Sequence, residues 1–297
     1  MSWLKLTEKS LYLMEDGAYL KKIDLRDHNG EQALDIPFDW FRGQGNNVPM
    51  VVSITHHATA TEPAPKVSTV ATSTVSKSTL TVPFSGKGLA SRILNYMDSK
   101  RYKIFEGHRK YNIVYVEGMN RDGSLNRDAD NVFNDIRLVI EVIDGVPRIV
   151  GGPWLGSTEP GRHYVINPMN SRGAARIRFG QYSAWQIGIH GRGSSGHEAL
   201  IQTGGEVTVH RDFDRNGIRT GDKLHSGYFG INQHSGYDNP TNHVGKASAG
   251  CLVGRSSREH KQFMSLIKQD SRYLQNKKFI FTSTIVPGDD LAKTFPA

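Results

Sequence analysis

The chain has 297 residues, of which 37% are hydrophobic and 22% charged, with a formal net charge of +8 and a sequence pI of ≈ 9.5. That length holds one large domain or two modest ones, and the 31 glycines suit a loop-rich, β-containing protein. The basic surplus favours an anionic partner such as nucleic acid, acidic lipid or the polyanionic bacterial wall. No run of five or more Lys/Arg occurs, which reads against a specific nucleic-acid groove, and no stretch of about 18 apolar residues is present to span a membrane.

Residues 1–56 read as a small β-rich module in which LYLM and AYLKKIDL are strands joined at Asp16-Gly17. The charges of Lys5, Glu8 and Lys9 interrupt the first residues and read against a secretion signal. Residues 57–83 are dominated by Thr, Ser, Ala, Val and Pro without helical period. They read as a flexible linker, with an edge strand plus loop as the alternative.

Residues 84–297 form the main domain of the prediction. GLASRILNYMDSK places Leu89, Ile93, Tyr96 and Met97 on one helical face. Strand-like runs follow: YNIVYVEG, a hairpin IRLVIEVIDGVPRIVGG turning at Asp144-Gly145, then GRHYVINP, AARIRFG, AWQIGIHG and EALIQTGGEVTVHR. Ser256 and Glu259 make a capping-box pattern, Phe263, Leu266 and Ile267 give the helix after it an apolar stripe, and FIFTSTIV closes with a strand. The fold class is therefore mainly β (α+β).

Cys251 is the only cysteine, so no intramolecular disulfide can form and thiol chemistry becomes the question. It sits in VGKASAGCLVG, at the end of a small-residue strand or turn. A lone thiol among small residues is often an inert buried hydrophobe. His234, seventeen positions earlier behind the strand-like FGIN, puts an imidazole where one loop can bring it to the sulfur. Gly250 permits close approach of a carbonyl, and the N–H groups of Gly250 and Cys251 are candidate oxyanion donors. A thiol activated in this way is expected to be alkylated fast near neutral pH.

GINQHSG followed by VGKASAGCLVG resembles the signature of the L,D-transpeptidase (YkuD-type) family, and GSTEPGRHYVI resembles that family's upstream turn. The resemblance covers residues 111–286 and not residues 1–83. It implies a β-sandwich catalytic domain with a few helices that modifies peptidoglycan stem peptides through a cysteine acyl-enzyme, by transfer or hydrolysis, without a cofactor. It implies Cys251 as nucleophile, His234 as general base, and Ser235 as the residue whose carbonyl fixes the imidazole tautomer. Ser248 and Gly250 match the Ser and Gly of the cysteine motif. Ala249 departs from the motif's second histidine and Val253 from a polar residue that meets substrate, with Arg255 or His243 as candidate replacements. A wall enzyme without a secretion signal would be delivered as part of a phage tail or injection particle, to which residues 1–56 would tether it. The alternative is a non-enzymatic wall-binding or particle protein with a vestigial site.

Other candidates are weaker. DFDRNGIRTGD places Asp212, Asp214 and Asn216 as a calcium loop would, but Lys223 stands where the last ligand belongs, and Arg215 and Arg219 are expected to crowd a cation. His190 in IGIHGRG could line the same cleft as Cys251. No Cys/His cluster has metal-site spacing, and no phosphate-binding loop is present.

Overall fold

The computed structural model describes strands β1 (Ser2–Leu6), β2 (Ser10–Glu15) and β3 (Ala18–Asp24), together with residues 84–297. The chain divides into two units, 1–78 and 79–297. In the first, β1, β2 and β3 pair antiparallel in sequence order, and Glu15 opposite Ala18 sets the predicted hairpin register. The turn residues Asp16 and Gly17, the predicted linker 57–83 and the remainder of the predicted module 1–56 lie outside the described residues.

The second unit begins with α1 (Leu89–Ser99), whose Ile93, Tyr96 and Met97 are buried on the predicted face, with Leu89 half-buried and Leu94 buried beside them. Four strands follow the helix face in making the main sheet: β4 (Tyr111–Glu117), β5 (Asp135–Ile143), β6 (Val146–Ser157) and, from the far end of the chain, β14 (Phe281–Pro287). β4 is buried along its whole length because both its faces are covered. Tyr111, Ile113 and Tyr115 enter one core with Trp185, Leu200 and Phe281. Val114 and Val116 enter a second core against α1 and Leu291 of α5 (Gly288–Thr294). The β5–β6 hairpin turns at Asp144 (φ 51°) and Gly145 (φ 72°), the paired positive φ values that a tight two-residue connection needs.

The remaining strands are β7 (Ala174–Ile177), β8 (Gly180–His190), β9 (His197–Gln202), β10 (Val207–Asp212), β11 (Lys223–Gly227), β12 (Gln233–Ser235) and β13 (Leu252–Gly254). The mainly β character expected from the sequence is present. Eight strands close into a ring in the order β12-β13-β6-β5-β4-β14-β8-β9, and β11-β10-β7 form a separate sheet that packs Ile177 and Val209 into the first core. The ring closes through a single pairing, Gln233 opposite Leu200, which sequence periodicity has no means of indicating.

Helix α3 (Ser257–Ile267) is capped as predicted: the Glu259 N–H donates to the Ser256 hydroxyl at 3.4 Å, and Phe263 and Ile267 are buried. A shorter helix, α4 (Ser271–Gln275), follows it. The predicted strand GRHYVINP is instead helical, α2 (Arg162–Ile166). The β propensity of Tyr164, Val165 and Ile166 is overridden by tertiary docking. Gly161 lies so close to the Gly245 carbonyl that a Cβ would stand 2.1 Å from it, and the Gly161 N–H donates to the Ser248 carbonyl at 2.9 Å. Its own carbonyl then starts the helix by accepting from the N–H groups of Tyr164 and Val165.

Candidate active site

His234 and Cys251 are brought together by the parallel pair β12–β13. His234 lies opposite Val253, so Cys251, two positions before Val253, shares its face of the ladder, and the bond from Leu252 N–H to the Asn232 carbonyl extends that ladder back to the cysteine. Strand spacing and rise put the two Cα positions about 8 Å apart, a span that an imidazole and a thiol cover between them. The cysteine lies at the end of a turn, directly before β13, which is the turn alternative the sequence offered, and His234 lies within β12 rather than after a strand. The His–Cys loop is pinned from outside. Asn131 accepts from Val244 N–H through its carbonyl, and from Gly245 N–H at 2.7 Å through its side chain.

Four imidazoles converge here, and their partners fix every tautomer. His234 Nδ1–H donates to the Ser235 carbonyl at 2.8 Å, which leaves the Nε2 lone pair as the base. His190 stacks on His234 with ring centroids 3.7 Å apart and an interplanar angle of 9°. Asn232 Oδ1 accepts from Gln202 N–H at 2.9 Å, so the Asn232 amide must donate to His190 Nδ1 at 3.1 Å, and His190 carries its proton on Nε2. His197 Nε2 accepts from Ser235 N–H at 3.2 Å, so its Nδ1–H donates to the Ser195 carbonyl at 3.0 Å. The buried Arg137 donates to His260 Nδ1 at 3.2 Å, and His260 Nε2–H donates to the Glu198 carbonyl at 2.8 Å. Burial, and then the neighbouring His190, hold the His234 imidazole well below its usual pKa. Burial followed by the Arg137 charge lowers His260 to about 3. His234 is thus a neutral base with one aimed lone pair.

The cysteine turn is braced by Ser248, whose hydroxyl donates to the Cys251 carbonyl at 2.8 Å and accepts from Gly250 N–H at 3.1 Å. Gly250 N–H is therefore committed to the turn. Of the two expected oxyanion donors only Cys251 N–H remains, and it donates to no acceptor among the described residues. Gly250 has φ 126°, and a Cβ there would stand 2.3 Å from the Ala175 carbonyl. Gly250→Ala is expected to destabilise the protein by about 2–4 kcal/mol, from strain plus overpacking, read as a lowered denaturant midpoint. An unchanged midpoint would show that the turn relaxes without cost.

Cys251, His234 and His190 open on one cavity of about 640 Å³. The half-buried thiol packs beside Val253 and Ala247 and donates to the Gly230 carbonyl at 3.4 Å. Among the described residues no hydrogen bond joins it to an imidazole. Burial pushes its pKa up to about 11, so thiol and imidazole are both neutral near pH 7. This runs against the expectation of fast alkylation near neutral pH. Displacement from the ordinary 9.0 to about 11 predicts alkylation by iodoacetamide about a hundredfold slower than for an ordinary thiol at pH 7, still rising above pH 9. A rate that levels off below pH 8 would contradict it and indicate a preformed ion pair.

Two expected substrate-binding residues are not brought to this cavity. Arg255 turns to donate to the Asn239 carbonyl at 3.3 Å, and the exposed His243 packs against Gly245. The cations that do line the cavity are Arg211 and Lys246, and Tyr164 and Tyr237 share its wall. The guanidinium of Arg211 lies 4.8 Å from the Phe229 ring centroid. Sequence reasoning placed His190 as a cleft candidate but missed His197, His260 and Arg211. No spacing signal marks them, because they arrive from two separate strands and a helix.

Acidic residues gather elsewhere. Arg176 donates to both Glu117 and Glu159, while Arg219 and the Thr158 hydroxyl donate to Glu117. Burial pushes Glu159 up to about 9, even against the Arg176 charge. Glu117, Asp128 and Glu159 have the proximity of a metal group, but each is already paired with a guanidinium, Arg176 reaching all three and Arg219 reaching Glu117. In the calcium-like loop, Asp212 and Asp214 are joined by Asp222 rather than by position 223. Arg219, expected to crowd that loop, is turned away to Glu117. Asp212 and Asp214 instead accept the N–H groups of Asn216 and Gly217, as a turn does.

No helix among the described residues is long and apolar enough to cross a membrane. Set against known proteins, the chain matches no family model, no curated protein and no solved structure.

Proposed function

We propose that residues 84–297 form a cysteine acyltransferase or peptidase acting on peptidoglycan stem peptides, with a YkuD-like, L,D-transpeptidase-type site. The observation that carries this reading is the His234 imidazole, its Nδ1–H tied to Ser235 and its Nε2 free, opening on the same cavity as the only thiol in the chain. Because both groups rest neutral, the chemistry is general-base catalysis rather than attack by a stored thiolate. As Cys251 Sγ bonds to the acyl carbon, its proton passes to His234 Nε2 and the carbonyl π pair moves to oxygen. Collapse expels the amine, which takes the proton from His234 and leaves a thioester. A second amine then gives a cross-link, or water gives cleavage. Arg211 and Lys246 suit the free carboxylates of stem peptides. Residues 1–56 are proposed to tether the enzyme to a phage-tail or injection particle that delivers it to the wall.

The second reading is a wall-binding or particle protein with a vestigial site, and the raised thiol pKa favours it. Incubation with purified muropeptides and mass analysis of products separates the two. Transfer or cleavage products that depend on Cys251 support the enzyme. Retention on peptidoglycan without any product supports the binding protein.

A further inference from the structure

Sulfur attack on a carbonyl creates an oxyanion that preorganised donors must receive, ordinarily two or more. The cysteine turn leaves one, Cys251 N–H, because Gly250 N–H is held by the Ser248 hydroxyl. We propose that His190 is the second oxyanion donor, giving its Nε2–H to the oxygen of the tetrahedral intermediate formed on Cys251. The proposal rests on the acyl-transfer reading above and deepens it.

Three observations carry it. The first is the tautomer. Gln202 N–H fixes the orientation of the Asn232 side chain, and Asn232 then fixes the proton of His190 on Nε2, so the group is a donor by construction. The second is availability. Nε2 of His190 makes no hydrogen bond to any described residue, and the half-buried ring forms part of the wall of the cavity that holds Cys251 and His234. The third is support. His190 ends β8, paired with His197 in the ladder and stacked at 3.7 Å on the base itself, so the donor and the base are held as one unit.

The same stack keeps the donor loaded. When His234 takes the thiol proton, an imidazolium lies 3.7 Å from His190, and like charges at that distance keep His190 from gaining a second proton. It therefore remains a neutral donor through the step. Electrons and protons balance as before: the S–C bond forms, the π pair moves to the oxygen held by Cys251 N–H and His190 Nε2–H, and collapse restores the carbonyl as the C–N bond breaks.

The test uses the full chain with muropeptides, comparing wild type, Cys251→Ala, His190→Phe, His190→Met and His190→Gln. His190→Phe keeps an aromatic ring on His234 and removes the donor, His190→Met is a second donorless variant should the first not fold, and His190→Gln retains an N–H. Expected is a kcat lower by about 10²–10³-fold in the donorless variants, with KM unmoved and partial retention in His190→Gln, while the acid limb moves toward the ordinary imidazole value in all three variants alike because the depressing effect of His190 on His234 is lost. Wild-type kcat in a folded donorless variant overturns the assignment. So does an equal loss in all three His190 variants, His190→Gln included, the mark of a ring that only packs against His234. If wild type itself gives no Cys251-dependent product, the acyl-transfer reading fails and the donor assignment falls with it. If wild type turns over and His190→Phe matches it, only the donor assignment fails.

Discussion

Cys251→Ala is expected to lower muropeptide turnover by at least about 10⁴-fold while leaving the thermal midpoint close to that of the wild type. No second thiol exists to substitute for Cys251, and the two serines nearest the site are occupied. Ser248 braces the cysteine turn, and Ser235 Oγ is bonded to Ser257 Oγ at 2.9 Å while accepting from Tyr237 N–H. Stability should change little, because the substitution removes one half-buried sulfur that donates only through the long contact to the Gly230 carbonyl. Turnover surviving in the folded variant would remove Cys251 from the chemistry.

His234→Phe is expected to cost about 10²–10⁴-fold in kcat, the range of a positioned general base, while the stacking surface for His190 is kept. The pH profile of the wild type carries the sign. The active form has a neutral imidazole and a protonated thiol. Burial and His190 depress the His234 pKa, so the acid limb falls well below the ordinary 6.5. Burial raises the thiol, so the alkaline limb approaches about 11. A broad plateau between these limits is the expected kcat/KM profile. A limb centred near 6.5, or loss of rate beginning near pH 8, would place the proton elsewhere in the resting enzyme. Loss of the acid limb in His234→Phe would assign that limb to this imidazole.

What the sequence disclosed was local. The helix face of α1, the Asp144-Gly145 hairpin and the Ser256–Glu259 cap are set by residues within a few positions of one another, and each is found where the pattern put it. The brace of the cysteine turn is equally local, since the Ser248 hydroxyl bonds the Cys251 carbonyl and the Gly250 N–H. Yet the N–H of Gly250 was expected at the oxyanion and is found inside the turn, a distinction that a sequence motif cannot carry. The failures were long-range. GRHYVINP has strand residues but becomes α2, because Gly161 docks on the cysteine loop eighty-odd positions later in the chain. The closed ring depends on one β12–β9 pairing, and the histidine stack depends on β8 ending beside β12. The buried Arg137 under His260, flanked by the Phe263 ring at 4.0 Å, reads in sequence as an ordinary arginine in an alternating strand.

The central claim is that Cys251 accepts an acyl group with His234 as its base. Wild-type protein mixed with muropeptides, quenched in acid and digested should yield the Cys251 peptide carrying the mass of an acyl fragment, and His234→Phe should accumulate that adduct far more slowly. A Cys251 peptide of unmodified mass, recovered while wall products form, would contradict the account.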